Sequence, residues 1–582
     1  MLPLERFQGE THDQRMEAAR RRIPLLTEDW TNLQEYDPGM TLLELFSWLV
    51  KVQRQTMEVV SEDSEARFLS LLGAPPLHAR GARALLALDA GGTAARLPAG
   101  VKFRAGGMVF ENRAPVALSG ARLTELRTSG GAALAAGDLG EGHALALFGD
   151  RPGPGDWFEL SFDGPLPEQV GLAFDLPLSE GVVRTPIPEG AAVYPLARLR
   201  WQCWDGAGWW DAAAEEDGTW GLLCSGLVRL RLGAPGADRL RAVLETGGYD
   251  LPPRARAVAC PAVEVEQRDT LCCRETVTAG DLRAGKGALH SFLALVGRTQ
   301  CYRRDGESWR PCAARVTPDW AAGMAAVAVD WPPALEDGEP ELLAVSWDDD
   351  RCPPPADGAG WSGQTLDLPG PGVEYGSAAL LVGAGEGFSL WPAAEDLYGC
   401  GPEDRAFRLD GTAGRIFFGD GVHGGIPPAG TENLRVAGLA LTRGGASNLR
   451  PGQIGPPPEG AYAALGVRQL TEARGGRDEE THAARKRRCA GADRAGLRAV
   501  TAGDYERLAL STPGLILESV KVLPNCVKES GRVRACPGVV TVVIRGSGGA
   551  DAAAGYVENV RRRLEPCRLA GTQVRVEWEE EL

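Results

Sequence analysis

Apolar positions in the first 80 residues recur at helical spacing, and after Gly73 the period changes to two. His12 to Arg22 reads as a short helix of mixed charge, stopped by Pro24. Asp37-Pro38-Gly39 reads as a turn, and Thr41-Leu42-Leu43-Glu44 behind it as a capping box. The helix opened there is expected to run from 42 to about 60, and a second piece from about 63 to 72, ending at Gly73 before Ala74-Pro75-Pro76. The longer helix carries two apolar stripes. One is Leu42, Leu45, Leu49, Val52, Val59; the other is Leu43, Phe46, Val50, Met57, Val60. A helix packed on a single partner needs one stripe about 100° wide. Two stripes mean contacts on two sides: either both pack inside this chain, or one serves a bundle shared with another subunit.

Beyond Gly73, alternation marks strands at Ala84 to Leu88, Val101 to Arg104 and Met108 to Asn112, and again at Trp157 to Phe162 and Gln169 to Leu176. Leu199 to Trp204 alternates, turns at Asp205-Gly206-Ala207-Gly208 and resumes at Trp209-Trp210, a β-hairpin signal. Further strands read at Leu227 to Leu232, Ala257 to Gln267, Ala325 to Val329, Leu342 to Trp347, Arg415 to Phe418 and Asn433 to Leu441. The last hundred residues change character. Thr501-Ala502-Gly503-Asp504 opens a helix closed by Pro513-Gly514. Strands at Leu515 to Leu523 and Gly538 to Arg545, a helix at about Ala552 to Leu564 and a strand at Thr572 to Trp578 complete an α-β-β-α-β order. That order predicts a small open-faced α+β sandwich.

Composition narrows this picture. The chain has 582 residues, with 76 Gly and 41 Pro, yet 44% of residues are hydrophobic and 15 are Trp. Disorder, collagen and an all-helical bundle are excluded. The net charge of −16 makes a poor general nucleic-acid binder. The basic runs Arg20 to Arg22, Arg485 to Arg488 and Arg561 to Arg563 lie in helices with acids nearby and read chiefly as solvated faces, with an anion or partner patch as the alternative. Thirteen cysteines without regular spacing read as reduced thiols of a protein made in the cytoplasm. Met1 to Gln14 shows no apolar core of a signal peptide, and no apolar stretch is long enough to span a bilayer.

Candidate chemistry is sparse. Gly280 to Gly287 nearly matches a phosphate loop but lacks the Ser or Thr that would hold Mg²⁺. Gly419-Asp420-Gly421-Val422-His423-Gly424 matches a dinucleotide fingerprint, but Gly425-Ile426-Pro427-Pro428 follows where a helix must begin, so a tight turn is expected. Cys272-Cys273 are adjacent, and with six scattered His no zinc spacing exists. The acidic pair Glu215-Glu216 and the run Asp348-Asp349-Asp350 read as solvated loops. No catalytic, cofactor or metal residues are assigned. Trp201, Trp204, Trp209, Trp210 and Trp220 read chiefly as sandwich core, with a protein interface or a sugar platform as alternatives. Alternation puts Trp201 and Trp204 on opposite faces.

Glu35-Tyr36-Asp37-Pro38-Gly39-Met40-Thr41-Leu42-Leu43-Glu44-Leu45-Phe46-Ser47-Trp48-Leu49 resembles the amino-terminal signature of baseplate-J-like proteins, wedge components of contractile phage tails and related injection systems. Phe68 to Gly73 fits the end of that helical region. Leu97 to Arg104 with Val109-Phe110-Glu111 looks like the family's first β segment. Phe418 to Gly424 with Pro427 to Gly430, then Gly444 to Leu449 with Pro451-Gly452, look like its later half, and Val500 to Glu506 with Thr512-Pro513-Gly514 like its carboxy-terminal module. The stretch 270–372 matches nothing in the family.

The resemblance implies an α+β fold, mainly β. Its parts are an N-terminal helical segment (1–78), a discontinuous β core (79–120 with 400–470), an inserted β-sandwich-like domain (121–260), a second inserted β-rich region (261–399) and a small C-terminal α+β sandwich (480–582). It implies a structural, non-enzymatic wedge protein without cofactors. Such a protein is made in the bacterial cytoplasm and joins other wedge subunits, spike or hub proteins and sheath-base proteins in a hetero-oligomer of six-fold particle symmetry. It binds no nucleic acid and does not span a membrane. It links the hub to the sheath base and rearranges on contraction through interfaces that repack as rigid bodies. The expected subunit-interface residues are Leu42, Leu43, Phe46, Trp48, Leu49, Val50, Met57, Val60, Phe68 and Leu72. The rival reading is a secreted carbohydrate-binding or carbohydrate-active β-sandwich protein that uses the Trp cluster.

Overall fold

The structure, a computed structural model, describes residues 11–58, 62–91, 95–140, 144–179, 181–188, 191, 193–458, 460–490, 498–529, 532–547 and 550–579. The fold is α+β and mainly β, as the alternating patterns predict, with 41% of residues in strands against 17% in helices. The chain forms two compact units. One is Met1–Pro76 with Glu480–Arg494; the other is Leu77–Glu479 with Ala495–Leu582.

In the second unit a five-stranded sheet gathers strands far apart in sequence. Its order is Lys102–Ala105, Met108–Asn112, Ala262–Gln267, Arg83–Asp89 and Gly466–Gln469. Leu86, Phe103, Phe110, Val263 and Val265 fill its core, all at most 2% exposed. A nine-stranded sheet uses only residues between Leu123 and Ala259. Trp201 lies in its core, edge-on to Phe158 at 5.8 Å. Trp204 and Trp209 pack on the opposite face at 5.5 Å with their rings tilted by 55°, and the Arg241 guanidinium covers Trp209 at 4.1 Å. The expected split of Trp201 from Trp204 is therefore present.

A third, eleven-stranded sheet is organised around the long strand Gly430–Leu441, which pairs with Asp269–Thr278 on one side and Ala379–Ala384 on the other. It joins the five-stranded sheet through a polar seam. Glu111 is 3% exposed and accepts from the Thr270 N–H at 2.7 Å and the Thr270 hydroxyl at 2.6 Å, while Lys102 Nζ donates to Asp269 at 2.8 Å. Burial pushes the Glu111 carboxyl up to about 7, against the opposing pull of Lys102. An acid whose folded pKa is raised stabilises the fold fully below its unfolded pKa and loses that contribution as pH climbs through the folded value. Wild type is thus expected to lose about 3 kcal/mol more stability between pH 4 and pH 8 than Glu111→Gln. Parallel thermal melts across that range check it; equal pH slopes would contradict the assignment.

The C-terminal domain follows the expected order. The Thr501 capping box forms, with its hydroxyl accepting from Asp504 N and the Asp504 side chain accepting from Thr501 N. The helix Ala502–Leu510 is followed by strands Leu517–Glu529 and Arg532–Gly546, then the helix Ala550–Leu564 and a parallel edge strand Gln573–Trp578. The domain's core is not its own alone. Leu196 and Leu223 of the nine-stranded region are buried against Tyr505, Tyr556 and Ile544. At the same seam Arg184 grips Asp250 with two bonds of 2.7 Å and donates to the Gly514 carbonyl at 2.7 Å. The Tyr556 hydroxyl donates to Asp250 Oδ2 at 2.7 Å. The Asp250 side chain is wholly buried and that of Arg184 is 7% exposed.

Candidate assembly surface

In the first unit, α1 (His12–Leu26) begins with a Thr11–Gln14 capping box and runs through Pro24 to Leu26, beyond the expected stop at Arg22. Pro24 sits in the last turn, where its missing N–H removes one helical bond and leaves the rest intact. Helix α2 (Pro38–Glu58) starts four residues before the expected helix start at 42. Its cap is Asp37, whose Oδ1 accepts from Gly39 N at 2.9 Å and Met40 N at 3.1 Å, with Pro38 at the first helical position. The Thr41 hydroxyl instead donates back to the Asp37 carbonyl at 3.0 Å. The same Asp37 oxygen accepts from the Trp30 indole N–H at 3.0 Å. A Cβ on Gly39 would sit 2.3 Å from that indole, so the ring's seat requires glycine. Asp37→Ala is expected to weaken α2 by about 1 kcal/mol, speeding exchange of its first-turn amides about fivefold. Native-state hydrogen exchange reads this; unchanged protection would rule the cap out.

Helices α1 and α2 bury only a narrow seam. Met16, Ile23 and Met40 are buried, with Trp30, Leu33 and Leu43 packed against them, and Arg15 Nε donates to the Ser47 hydroxyl at 3.2 Å. The buried line on α2 is therefore Met40, Leu43 and Ser47, and neither apolar stripe is covered along its length. Leu42, Leu45, Phe46, Trp48, Leu49, Val50 and Val52 are all exposed, Phe46 at 61% and Trp48 at 53%. At 100° per residue these seven positions sweep about 200° of the helix circumference.

Helix α3 (Glu62–Leu71) is partnered by a segment 400 residues distant, the helix His482–Ala490. Leu69, Ala74 and Cys489 form a small core. Glu65 accepts from Lys486 Nζ at 2.9 Å and bonds His482 Nε2 at 2.8 Å, and the Lys486 hydrogen bond leads in holding its carboxyl below the usual range. Arg485 is only 6% exposed. It donates to the Ser70 hydroxyl at 2.6 Å and the Ala74 carbonyl at 2.8 Å, and Arg488 donates to the Pro75 carbonyl at 2.6 Å. This corrects the reading of Arg485 to Arg488 as a solvated face: two of its arginines bond the Ala74 and Pro75 carbonyls in the segment just past α3. Phe68, Leu71 and Leu72 remain more than half exposed.

Of the ten expected interface residues, seven are exposed: Leu42, Phe46, Trp48, Leu49, Val50, Phe68 and Leu72. Leu43 is half-buried in the α1–α2 seam. Val60 and the side chain of Met57 lie outside the described residues. Leu45 and Val52 belong to the same exposed face; the helical period marks them, since both lie on the first stripe. A contiguous apolar surface of this extent, rimmed by charged residues, is the signature of a docking surface in a folded protein.

Neither glycine-rich motif has the geometry its sequence suggested. Asp420 Oδ1 accepts from Val422 N at 2.8 Å and His423 N at 2.6 Å, and these bonds hold its carboxyl down at about 2. The next element is the strand Gly430–Leu441, so no helix end faces the glycines. In the Gly280 to Gly287 motif the glycines do not lead into a helix: Gly280 lies inside the short helix Ala279–Arg283, and after Gly285 the chain enters the short strand Ala288–Leu289. Among the described residues no cluster of three or more His, Cys, Asp or Glu is placed to hold a metal ion, and no helix is long and apolar enough to cross a membrane.

The fold is thus that of a multi-sheet, mainly β protein carrying a helical unit with an uncovered apolar face. No family model and no curated protein matches the sequence. Among solved structures, the chain is similar to one in the type VI secretion system TssK-TssF-TssG baseplate subcomplex, with 13% identity over 92% of this chain and 96% of that one, at a TM-score of 0.37. It is also similar to a chain of the anti-feeding prophage (AFP) baseplate, with 12% identity over 97% of this chain and 71% of that one, at a TM-score of 0.27.

Proposed function

We propose that this chain is a structural, non-enzymatic component of the baseplate of a contractile injection particle, acting as a wedge subunit. The observation that carries the reading is the exposed apolar arc of α2 with Phe68, Leu71 and Leu72 of α3. It falls on the segment Glu35 to Gly73 that carries the baseplate-J-like resemblance. Its role is to complete a helical bundle with other wedge subunits, while the β units reach toward hub and sheath-base proteins in a six-fold assembly. The chain is made in the bacterial cytoplasm and ends in the particle. The Trp face of the nine-stranded sheet gives the carbohydrate reading little room. Trp201 is core, and Gln202, Asp211 and Arg241 on the outer face already bond one another at 3.2 Å and 2.7 Å. Sedimentation of lysate from the native source tests the proposal. The chain is expected in the fraction of tail-like particles and to stay there through a high-salt wash; recovery only as free protein would overturn it.

A further inference from the structure

Where the five-stranded and eleven-stranded sheets meet, three arginines line one cavity of about 380 Å³. Arg113 follows the strand Met108–Asn112, Arg268 joins the strand Ala262–Gln267 to the strand Asp269–Thr278, and Arg274 lies within the latter. Neither sheet builds this wall alone. Among the described residues, the Arg274 side chain makes no ion pair and no hydrogen bond. Its guanidinium lies against Gly438 of the strand Gly430–Leu441, where a Cβ would sit 2.7 Å from Arg274 Nη1.

The carboxylates nearby do not balance these charges. Glu266, with its side chain 3% exposed, is shared by three guanidiniums: Arg113 at 3.2 Å, Arg83 at 3.3 Å and Arg80 at 3.5 Å, of which Arg83 also faces Glu264 at 3.9 Å. Arg268 Nε lies 2.9 Å from Glu374 Oε2, yet the two are misaligned, and both atoms are buried without a hydrogen-bond partner. A buried donor left in this state calls for an ion or water to complete it. Glu111 is the carboxyl in the cavity wall. Both its oxygens are taken up by Thr270, and burial raises it to about 7, so it adds little negative charge below neutrality.

We propose that this cavity binds a small tetrahedral oxyanion of the phosphate class, held between Arg113, Arg268 and Arg274. A guanidinium presents its N–H groups as a planar fork that matches two oxygens of such an anion. Three forks converging on one space suit an anion with more oxygens than a carboxylate has. The cavity falls at the lower end of the range for ligand sites and exceeds what a bare phosphate fills, so the anion is either free or carried on a small organic group. Bound there, it bridges the two sheets beside the Lys102–Asp269 pair of the polar seam.

The test is isothermal titration calorimetry of the purified full chain with inorganic phosphate, in a phosphate-free buffer at constant ionic strength. One saturable site per chain is expected, with a dissociation constant on the order of 0.1–1 mM. Arg274→Ala should weaken binding by about tenfold or more, and its melting curve without phosphate should match wild type, since no ion pair is lost. Arg113→Gln should weaken binding as well, and Arg151→Ala, at an exposed arginine away from the cavity, should not. Titration with glycerol 3-phosphate separates the two sources of the anion: tighter binding than phosphate marks a phosphomonoester, equal or weaker binding the free anion. If neither probe gives saturable binding up to about 10 mM, or if Arg274→Ala leaves the binding intact, the proposal is overturned. The wild-type titration decides the first point even if a variant folds poorly.

Discussion

Under the proposed wedge role, Phe46→Asp is expected to abolish entry of the chain into the particle while leaving its melting curve unchanged. The ring is 61% exposed and contributes nothing to the α1–α2 seam. A charge at such a position shifts the stability of the free chain by no more than about 0.5 kcal/mol. In a completed bundle the account differs. Burying a phenyl side chain contributes about 1.5–3 kcal/mol, and an unpaired carboxylate in its place costs several more. A loss of about 5 kcal/mol weakens association by a factor on the order of 10³ to 10⁴. Trp48→Asp and Val50→Asp should behave alike, since both side chains are exposed. Leu43→Asp supplies the contrast. Leu43 packs on the seam with Met16, Ile23 and Met40, so its replacement should lower the stability of the helical unit itself. Thermal melts of each variant, paired with its recovery in sedimented particles, separate the two outcomes. If Phe46→Asp assembles normally, the exposed arc is not the docking surface.

Asp250→Ala is expected to cost roughly 3–5 kcal/mol and to loosen the C-terminal domain from the nine-stranded region. Three bonds of the seam converge on the Asp250 carboxylate: two from Arg184 and one from Tyr556, all at 2.7 Å, with its side chain wholly out of solvent. Its removal strands the Arg184 guanidinium, 7% exposed, without a counter-charge. It also leaves the Tyr556 hydroxyl without its carboxylate acceptor. Burial, ahead of the nearby Asp250 charge, already pushes the Tyr556 hydroxyl far above its ordinary value, so the phenol stays neutral and donates. Tyr556→Phe removes the bond to Asp250 and the bond accepted from Ile516 N, keeps Asp250 paired with Arg184, and should cost only about 1–2 kcal/mol. A denaturant melt that ranks the two substitutions in the reverse order, or finds both neutral, would show that the seam does not depend on this cluster.

What the sequence made legible was local. The Thr501 box, the α-β-β-α-β order and the hairpin around Asp205 to Gly208 depend on residues within a few positions of one another, and each forms as expected. The start of α2 was misplaced because two capping signals compete within seven residues. Asp37 with Pro38 prevails, because Asp37 also receives the Trp30 indole and so is held in place by packing as well as by its own helix. The apolar arc was visible as two stripes. Which line was covered was not visible, because that choice depends on how Met16 and Ile23 of α1 meet Met40 and Leu43. Longer-range facts left no local trace. Arg485 is buried because Ser70 of α3 and Ala74 just past it, over 400 residues earlier, present their oxygens to it. The strand Ala262–Gln267 alternates like any other, yet nothing near it says that it pairs with both Arg83–Asp89 and Met108–Asn112.

Electron cryomicroscopy of particles isolated from the native source, with this chain located in the density, tests the central claim most directly. The account predicts that the chain occupies the baseplate in six-fold copies, with Phe46, Trp48 and Leu49 of α2 and Phe68 of α3 buried against helices of neighbouring subunits. Density that places the chain outside a baseplate, or leaves that face of α2 open to solvent in the assembled particle, would contradict it.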